Sequence, residues 1–213
     1  MISPPRWLDV ALLAIVSALI LSFVWDWQPA FGAAQVVFTI ALIGALLCAH
    51  AVSGASLRDA GFRLDTFSGA ATLLVPFTGL VIASVTIVGH SLRSTRFPGP
   101  ADAVVSLVQA VAFGLAQQYV LLGFFYRALE RLFGSNVYTI VATAALFSLF
   151  HLPNPFLSIA TFIAGVVAAL VYRRAPNLWV NAVAHGLISY HLYYALPFKV
   201  TGALRVGPGY WTP

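Results

Sequence analysis

Long apolar runs broken by short polar turns dominate the chain, and seven are long enough to read as membrane-spanning helices: residues 7–25, 31–52, 67–92, 103–133, 136–151, 155–172 and 178–196. A hydrocarbon core of about 30 Å is crossed by ~20 apolar residues in helical conformation. The fifth and sixth runs lie near the lower limit of ~17 and are expected to be embedded within the bundle. The pattern predicts an all-α fold: a polytopic transmembrane helical bundle of about seven spans, one integral membrane domain over 1–213. Between the runs, Trp25, Asp26 and Trp27 form an interfacial end. In the polar loop 53–66, Ser56-Leu57-Arg58-Asp59 reads as a helix start and Gly61 as a break. Pro98-Gly99-Pro100 marks a further turn. The first run follows only Met-Ile-Ser-Pro-Pro-Arg and shows no small-residue cleavage pattern, so a retained span is expected rather than a removed signal.

Composition points the same way. The chain is 61% hydrophobic and 8% charged, with a mean hydropathy of +0.92. Soluble domains are nearer ~45–50% and ~25%, so an integral membrane protein is predicted. The net charge of +5 does not suggest nucleic acid, because the arginines fall in short loops between runs. With the N-terminus inside, the inner loops hold Arg6, Arg58, Arg63, Arg127, Arg131, Arg173 and Arg174. The outer loops hold Arg93, Arg96, Lys199 and Arg205. This bias favours a cytoplasmic N-terminus and an outer C-terminus, with a bacterial inner membrane as the expected location. Cys48 is alone, so no intrachain disulfide is possible.

Few groups within the runs can do chemistry: Gln109, Gln117 and Gln118 in the fourth, His151 ending the fifth, and Asn181 and His185 in the seventh. Gln117 lies about 21 Å along its helix, deep in the hydrocarbon, where an amide needs partners from other helices. Asn181, His185 and Ser189 recur every four residues and share one helix face, as do Phe147 and His151. Interhelical hydrogen bonding alone would account for any one of them. Their joint presence points to one buried site. His50, His90 and His191 read as interface or loop histidines, and Ser53-Gly54-Ala55-Ser56 as a turn.

These residues carry a resemblance. Gln117-Gln118-Tyr119-Val120-Leu121-Leu122-Gly123 aligns without gaps on Glu-Glu-x-x-x-Arg-Gly, Phe147-Ser148-Leu149-Phe150-His151 matches Phe-x-x-x-His, and His185 falls where a further histidine is expected. The chain is thus similar to the CPBP family, the CAAX-protease and bacteriocin-processing (Abi) intramembrane proteases, over roughly 56–196. Residues 197–213 form a C-terminal tail. The resemblance implies that Gln117, Gln118, His151 and His185 occupy the family's catalytic positions. Leu122, Phe147, Asn181 and Ser189 are supporting residues, with Ser189 where the family has an Asn and Leu122 where it has the Arg.

The departures change the expected chemistry. In the family the first Glu, with the histidines, is thought to activate water; a carboxamide is not basic. Losing a general base typically costs ~10²–10⁴-fold. Without the second carboxylate a buried Arg would be unpaired, and Leu122 is the cheaper filling. Asp102 and Glu130 lie on the order of 20 Å from Gln117 along the axis, and only Asp9 in the first span could approach the core, although the interface is its expected place. No HExxH motif or intramembrane Asp pair offers another protease chemistry. Three functions follow. The favoured one is a non-catalytic pseudoprotease, a binding or scaffolding subunit of a membrane complex. The alternative is an active CPBP-type endopeptidase processing membrane-anchored or C-terminal sorting peptides. A transporter is weakly hinted at by Pro76 and a few glycines.

No cofactor or metal is expected; His151 or His185 as ligand to a metal or tetrapyrrole is the alternative. Expected partners are membrane lipids and other integral membrane proteins or transmembrane helices. The small residues Ala164, Gly165, Ala168 and Ala169 on the sixth run would meet them, as would the aromatic tail 206–211. Both histidines are expected to be held by amide or hydroxyl groups, from Gln117 or Gln118, Asn181 and Ser189.

Overall fold

The computed structural model describes residues 6–27 and 33–211. Phe31, the expected start of the second run, the side chain of Trp27 and the last two tail residues lie outside that description. Every described element is helical. The α-helices, in order, are α1 (Arg6–Ser22), α2 (Ala33–Ser53), α3 (Phe67–Ser91), α4 (Pro100–Gln118), α5 (Arg127–Phe133), α6 (Val137–Leu149), α7 (Pro155–Arg174), α8 (Leu178–Ala195) and the single turn α9 (Phe198–Thr201). Four helical stretches among the described residues are long and apolar enough to cross a membrane: Arg6–Asp26, Phe67–Ser91, Pro100–Phe133 and Pro155–Arg174.

The seven expected spans therefore differ in kind. The fifth is the 13-residue α6, about 20 Å long and shorter than the ~30 Å hydrocarbon core. The sixth gains Arg173 and Arg174 and reaches 20 residues, enough to cross. The seventh, α8, is 18 residues long but diluted by Asn181, His185, Ser189 and His191.

Local chemistry sets the helix starts. Asn136, Asn154 and Asn177 cap α6, α7 and α8, their side-chain oxygens accepting backbone N–H groups of the first turn. Pro100 and Pro155 occupy first-turn positions, where a missing N–H costs nothing. The capping pair expected at Ser56 and Asp59 forms, with the Ser56 backbone N–H donating to Asp59 Oδ2 at 2.8 Å. Only a turn follows. Gly61 adopts φ +99°, and its carbonyl accepts the Leu178 N–H at 2.9 Å, which ties the loop to the start of α8.

Packing then assembles the bundle. α4 lies on α8, α3 on α8, α6 on α7, and α1 on α2 and α5. One core cluster joins Leu121, Leu122, Tyr126, Ile140, Phe147 and Tyr172. A second joins Val16, Leu46, Phe124, Phe125 and Phe150. Asp9, expected near an interface, is instead buried in a bidentate ion pair: Arg131 Nη2 donates to Oδ1 at 2.6 Å and Nε reaches both oxygens at 3.1 Å. It fastens α1 to α5.

The tail folds onto its own bundle. Asn154 Nδ2 donates to the carbonyls of Thr201 and Arg205 at 2.9 and 3.0 Å, Gly207 N–H donates to Leu152 O at 2.9 Å, and Trp211 meets Trp25. The small-residue face of α7 is likewise used internally: a Cβ on Gly165 would lie 3.0 Å from Ala144 Cα.

Candidate functional site

The fourth run holds a feature that its apolar pattern does not betray. α4 continues into α5 without a break, but over Tyr119–Tyr126 the helix widens into a π segment beginning one residue after Gln118. Such segments are rare and recur at functional sites. Each backbone bond there spans five residues rather than four, so the register shifts immediately beyond the two glutamines. Leu121 consequently faces the cavity described below, while Leu122 is fully buried in the core cluster with Phe147 and Tyr172.

Two glycines bring α4 against α8. A Cβ on Gly114 would lie 3.0 Å from Ala182 O, and one on Gly186 would lie 2.7 Å from the Val111 backbone. This close approach puts Gln118 beside His185: the amide Nε2 donates to His185 Nδ1 at 3.1 Å. In that arrangement the His185 proton is on Nε2. His151 sits in the turn after α6, and its Nδ1 donates to Phe147 O at 2.6 Å, leaving Nε2 as an acceptor. The Phe147 ring lies edge-on to His151, with centroids 4.8 Å apart, and 6.1 Å from His185.

These side chains line a cavity of about 680 Å³. Gln117, Gln118, Phe147, His151, Asn181, His185 and Ser189 all contribute to its wall, together with apolar groups from α1, α3 and α7. Leu204 and Val206 bring the tail into the same wall. Of the sequence-predicted set, Leu122 alone stays outside.

The partners differ from expectation for one histidine. His185 is held by an amide, as anticipated, whereas His151 is held by a backbone carbonyl of its own helix. Asn181 turns back to donate to Asn177 O at 2.8 Å. The oxygens Gln117 Oε1, Gln118 Oε1 and Asn181 Oδ1 are buried and accept no hydrogen bond from the described residues. Sequence reasoning missed Ser106, Tyr190 and Tyr194, which also line the cavity; Ser106 Oγ and Tyr194 Oη are 3.1 Å apart. The four-residue step from Tyr190 to Tyr194 was the available signal.

All six acidic residues lie elsewhere. Asp9 pairs with Arg131, Asp59 accepts from Ser56, Asp65 pairs with Arg58 and Arg63, and Glu130 accepts from Tyr126. Asp26 and Asp102 are exposed. No Lys or Arg lines the cavity either. Among the described residues no three His, Cys, Asp or Glu side chains gather as a metal site would need.

No curated protein and no solved structure matches the chain. Residues 98–191 match the protein family described as "Type II CAAX prenyl endopeptidase Rce1-like". That stretch carries Gln117, Gln118, Phe147, His151 and His185, and the match supports CPBP family membership for this integral membrane protein.

Proposed function

We propose that the protein is a non-hydrolytic CPBP-like membrane protein whose cavity binds rather than cleaves, serving as a binding or scaffolding subunit of a membrane complex. The observation that carries this reading is a cavity with two histidines and no carboxylate in its wall. Peptide hydrolysis through this site needs a group that takes the proton from an attacking water. At the position where the resemblance places that group stands Gln117, whose amide cannot accept the proton.

Two further features support the reading. Gln118 Nε2 donates to His185, so the amide holds the ring without supplying the negative charge that would support an imidazolium. Leu122, at the resemblance's Arg position, is enclosed by apolar side chains, so no cation stands there to stabilise a developing oxyanion. The proposed location is a bacterial inner membrane, and the arginine distribution supports a cytoplasmic N-terminus.

Reversion tests this. Gln117→Glu alone, and Gln117→Glu with Gln118→Glu and Leu122→Arg, are compared with the natural sequence against a panel of membrane-anchored peptides read by mass spectrometry. Cleavage that emerges only in a folded revertant supports the proposal. Equal cleavage by natural and reverted chains overturns it.

A further inference from the structure

A second, smaller depression lies between the last turns of α2 and the helix that runs from the π segment into α5. His50 and Ser53 stand on one wall, and Tyr119, Gly123, Arg127 and Arg131 on the other; no lining residue is shared with the cavity. Arg127 and Arg131 are four residues apart and share a face of α5. A Cβ on Gly123 would lie 2.9 Å from the Tyr119 ring, so the bare glycine makes the room in which that ring lies. The polar groups of this wall are mostly donors in need of an acceptor. No Asp or Glu contributes to it. Arg131 gives Nε and Nη2 to Asp9, which leaves Nη1. Arg127 forms no ion pair among the described residues: its Nη1 donates to the main-chain Asp59 O at 2.8 Å, and it also meets the Tyr172 hydroxyl. The Asp59 carboxylate is itself turned to Ser56. The His50 ring and the Tyr119 hydroxyl have no hydrogen-bond partner among the described residues, whereas Ser53 spends its hydroxyl on the His50 carbonyl. Donors gathered around an unpaired guanidinium call for an anion.

Size and surroundings narrow the anion. The room inside is about 10 Å³, enough for one oxygen atom, so the anion enters by one oxygen and leaves its bulk at the surface. Asp9 in the first turn of α1 and Arg58 and Arg63 in the loop after α2 lie at the same end of the bundle, the charged layer at which a spanning bundle meets lipid headgroups. From His50 a stripe of α2 at helical spacing, Leu47, Ile43 and Ile40, runs down into the hydrocarbon, and all three are exposed. We propose that this depression holds the phosphodiester of an anionic membrane phospholipid. One non-bridging oxygen enters between Arg127, Arg131, His50 and Tyr119, and an acyl chain descends along Leu47 and Ile43. The site is separate from the cavity and stands whether or not the cavity hydrolyses.

The test uses the full chain in nanodiscs made from equal parts of dioleoyl phosphatidylglycerol and dioleoyl phosphatidylcholine. Lipid retained after release into detergent is counted by native mass spectrometry, and unfolding temperature is read in nanodiscs of each lipid alone. The natural chain is expected to retain one phosphatidylglycerol in about tenfold preference to phosphatidylcholine, whose ammonium would face the guanidinium pair, and to unfold at a higher temperature in phosphatidylglycerol. Arg127→Gln should abolish the preference and Arg127→Lys should keep part of it. Tyr119→Phe, which retains the ring and every charge, should weaken it about threefold and serves as the variant of record if Arg127→Gln does not fold. Arg173→Gln with Arg174→Gln, which removes two charges outside the depression, should leave it unchanged. Equal retention of the two lipids by the natural chain overturns the proposal, as does a preference that survives both Arg127→Gln and Tyr119→Phe. A loss as large in the Arg173–Arg174 double variant would show general surface attraction instead of a site. Inorganic phosphate added to phosphatidylcholine nanodiscs separates the two sources: no rise in unfolding temperature is expected, and a rise equal to that in phosphatidylglycerol would assign the site to a soluble anion and overturn the lipid.

Discussion

Leu122 is where one side chain tests the alignment of the whole motif. Its side chain is fully enclosed by Leu121, Tyr126, Phe147 and Tyr172. Leu122→Arg alone would bury a guanidinium without a counter-charge, at a cost of roughly 3–5 kcal/mol, and folded yield in detergent should collapse. Adding Gln118→Glu should restore part of that yield; no restoration would mean that the π segment keeps the two positions apart. Asn154 is a second sensitive residue, because one fully buried amide both caps α7 and holds the tail. Asn154→Ala is expected to cost about 2 kcal/mol or more and to expose the tail to protease. A tail as resistant as in the natural chain would contradict that role. In the loop, Asp65 is held down at about 2 from 3.8, chiefly by the hydrogen bond from Arg63, and Asp59 is lowered by its bonds to Ser56. A depressed carboxyl stabilises fully above its unfolded value and loses that contribution as pH falls through its folded one. Hydrogen exchange in 54–66, corrected for intrinsic rates, should stay protected down to about pH 4 and loosen only below it.

At the scale of elements, the contact that positions Gln118 against His185 is the α4–α8 pair, and its closeness depends on Gly114 and Gly186. A side chain at 186 meets Val111 backbone rather than a flexible tip, so the helices must separate. Gly186→Val should therefore lower stability by about 1–3 kcal/mol and break the Gln118–His185 bond. A Gly186→Val structure retaining that bond would refute the dependence. The helices themselves were readable from apolar runs, because a helix in lipid must satisfy its own backbone and stay apolar outside. The π segment was not readable: an apolar stretch such as Tyr119–Tyr126 is equally compatible with either winding, and the choice is made by tertiary packing. The glycines that set the α4–α8 distance were equally silent, since spacing gives the face of a helix but not which neighbour presses on it. His151 shows the same limit. Its four-residue step from Phe147 was visible, but the bond runs to the Phe147 carbonyl, which belongs to every residue alike.

For the molecule as a whole, the sequence placed seven of its eight candidate residues on one cavity, because polar groups that cannot face lipid must face one another. The ties that close the bundle were less legible. Asp9 is one of only six acids, yet its partner lies 122 residues away on α5, and no local pattern signals so distant a pairing. Asp9→Asn should leave Arg131 without its carboxylate, release α1 from α5 and cost about 2–3 kcal/mol, Arg131 being only partly buried. Equal unfolding temperatures for Asp9→Asn and the natural chain would contradict this. The α7 small-residue face and the tail, each a surface that could have met another protein, are both engaged within the chain. A partner in a complex must then reach other surfaces. Gentle extraction from the native membrane followed by mass spectrometry should recover the chain with other integral proteins, and recovery at monomer mass would count against the subunit reading.

The central claim is that this cavity binds without hydrolysing, and the most direct measurement is cleavage by the natural sequence itself. The purified full chain, in lipid, is incubated with the membrane-anchored peptide panel beside His151→Ala, and products are counted by mass spectrometry to single-turnover sensitivity. The account predicts no product above the His151→Ala background. Robust cleavage by the natural chain, abolished by His151→Ala, would contradict it.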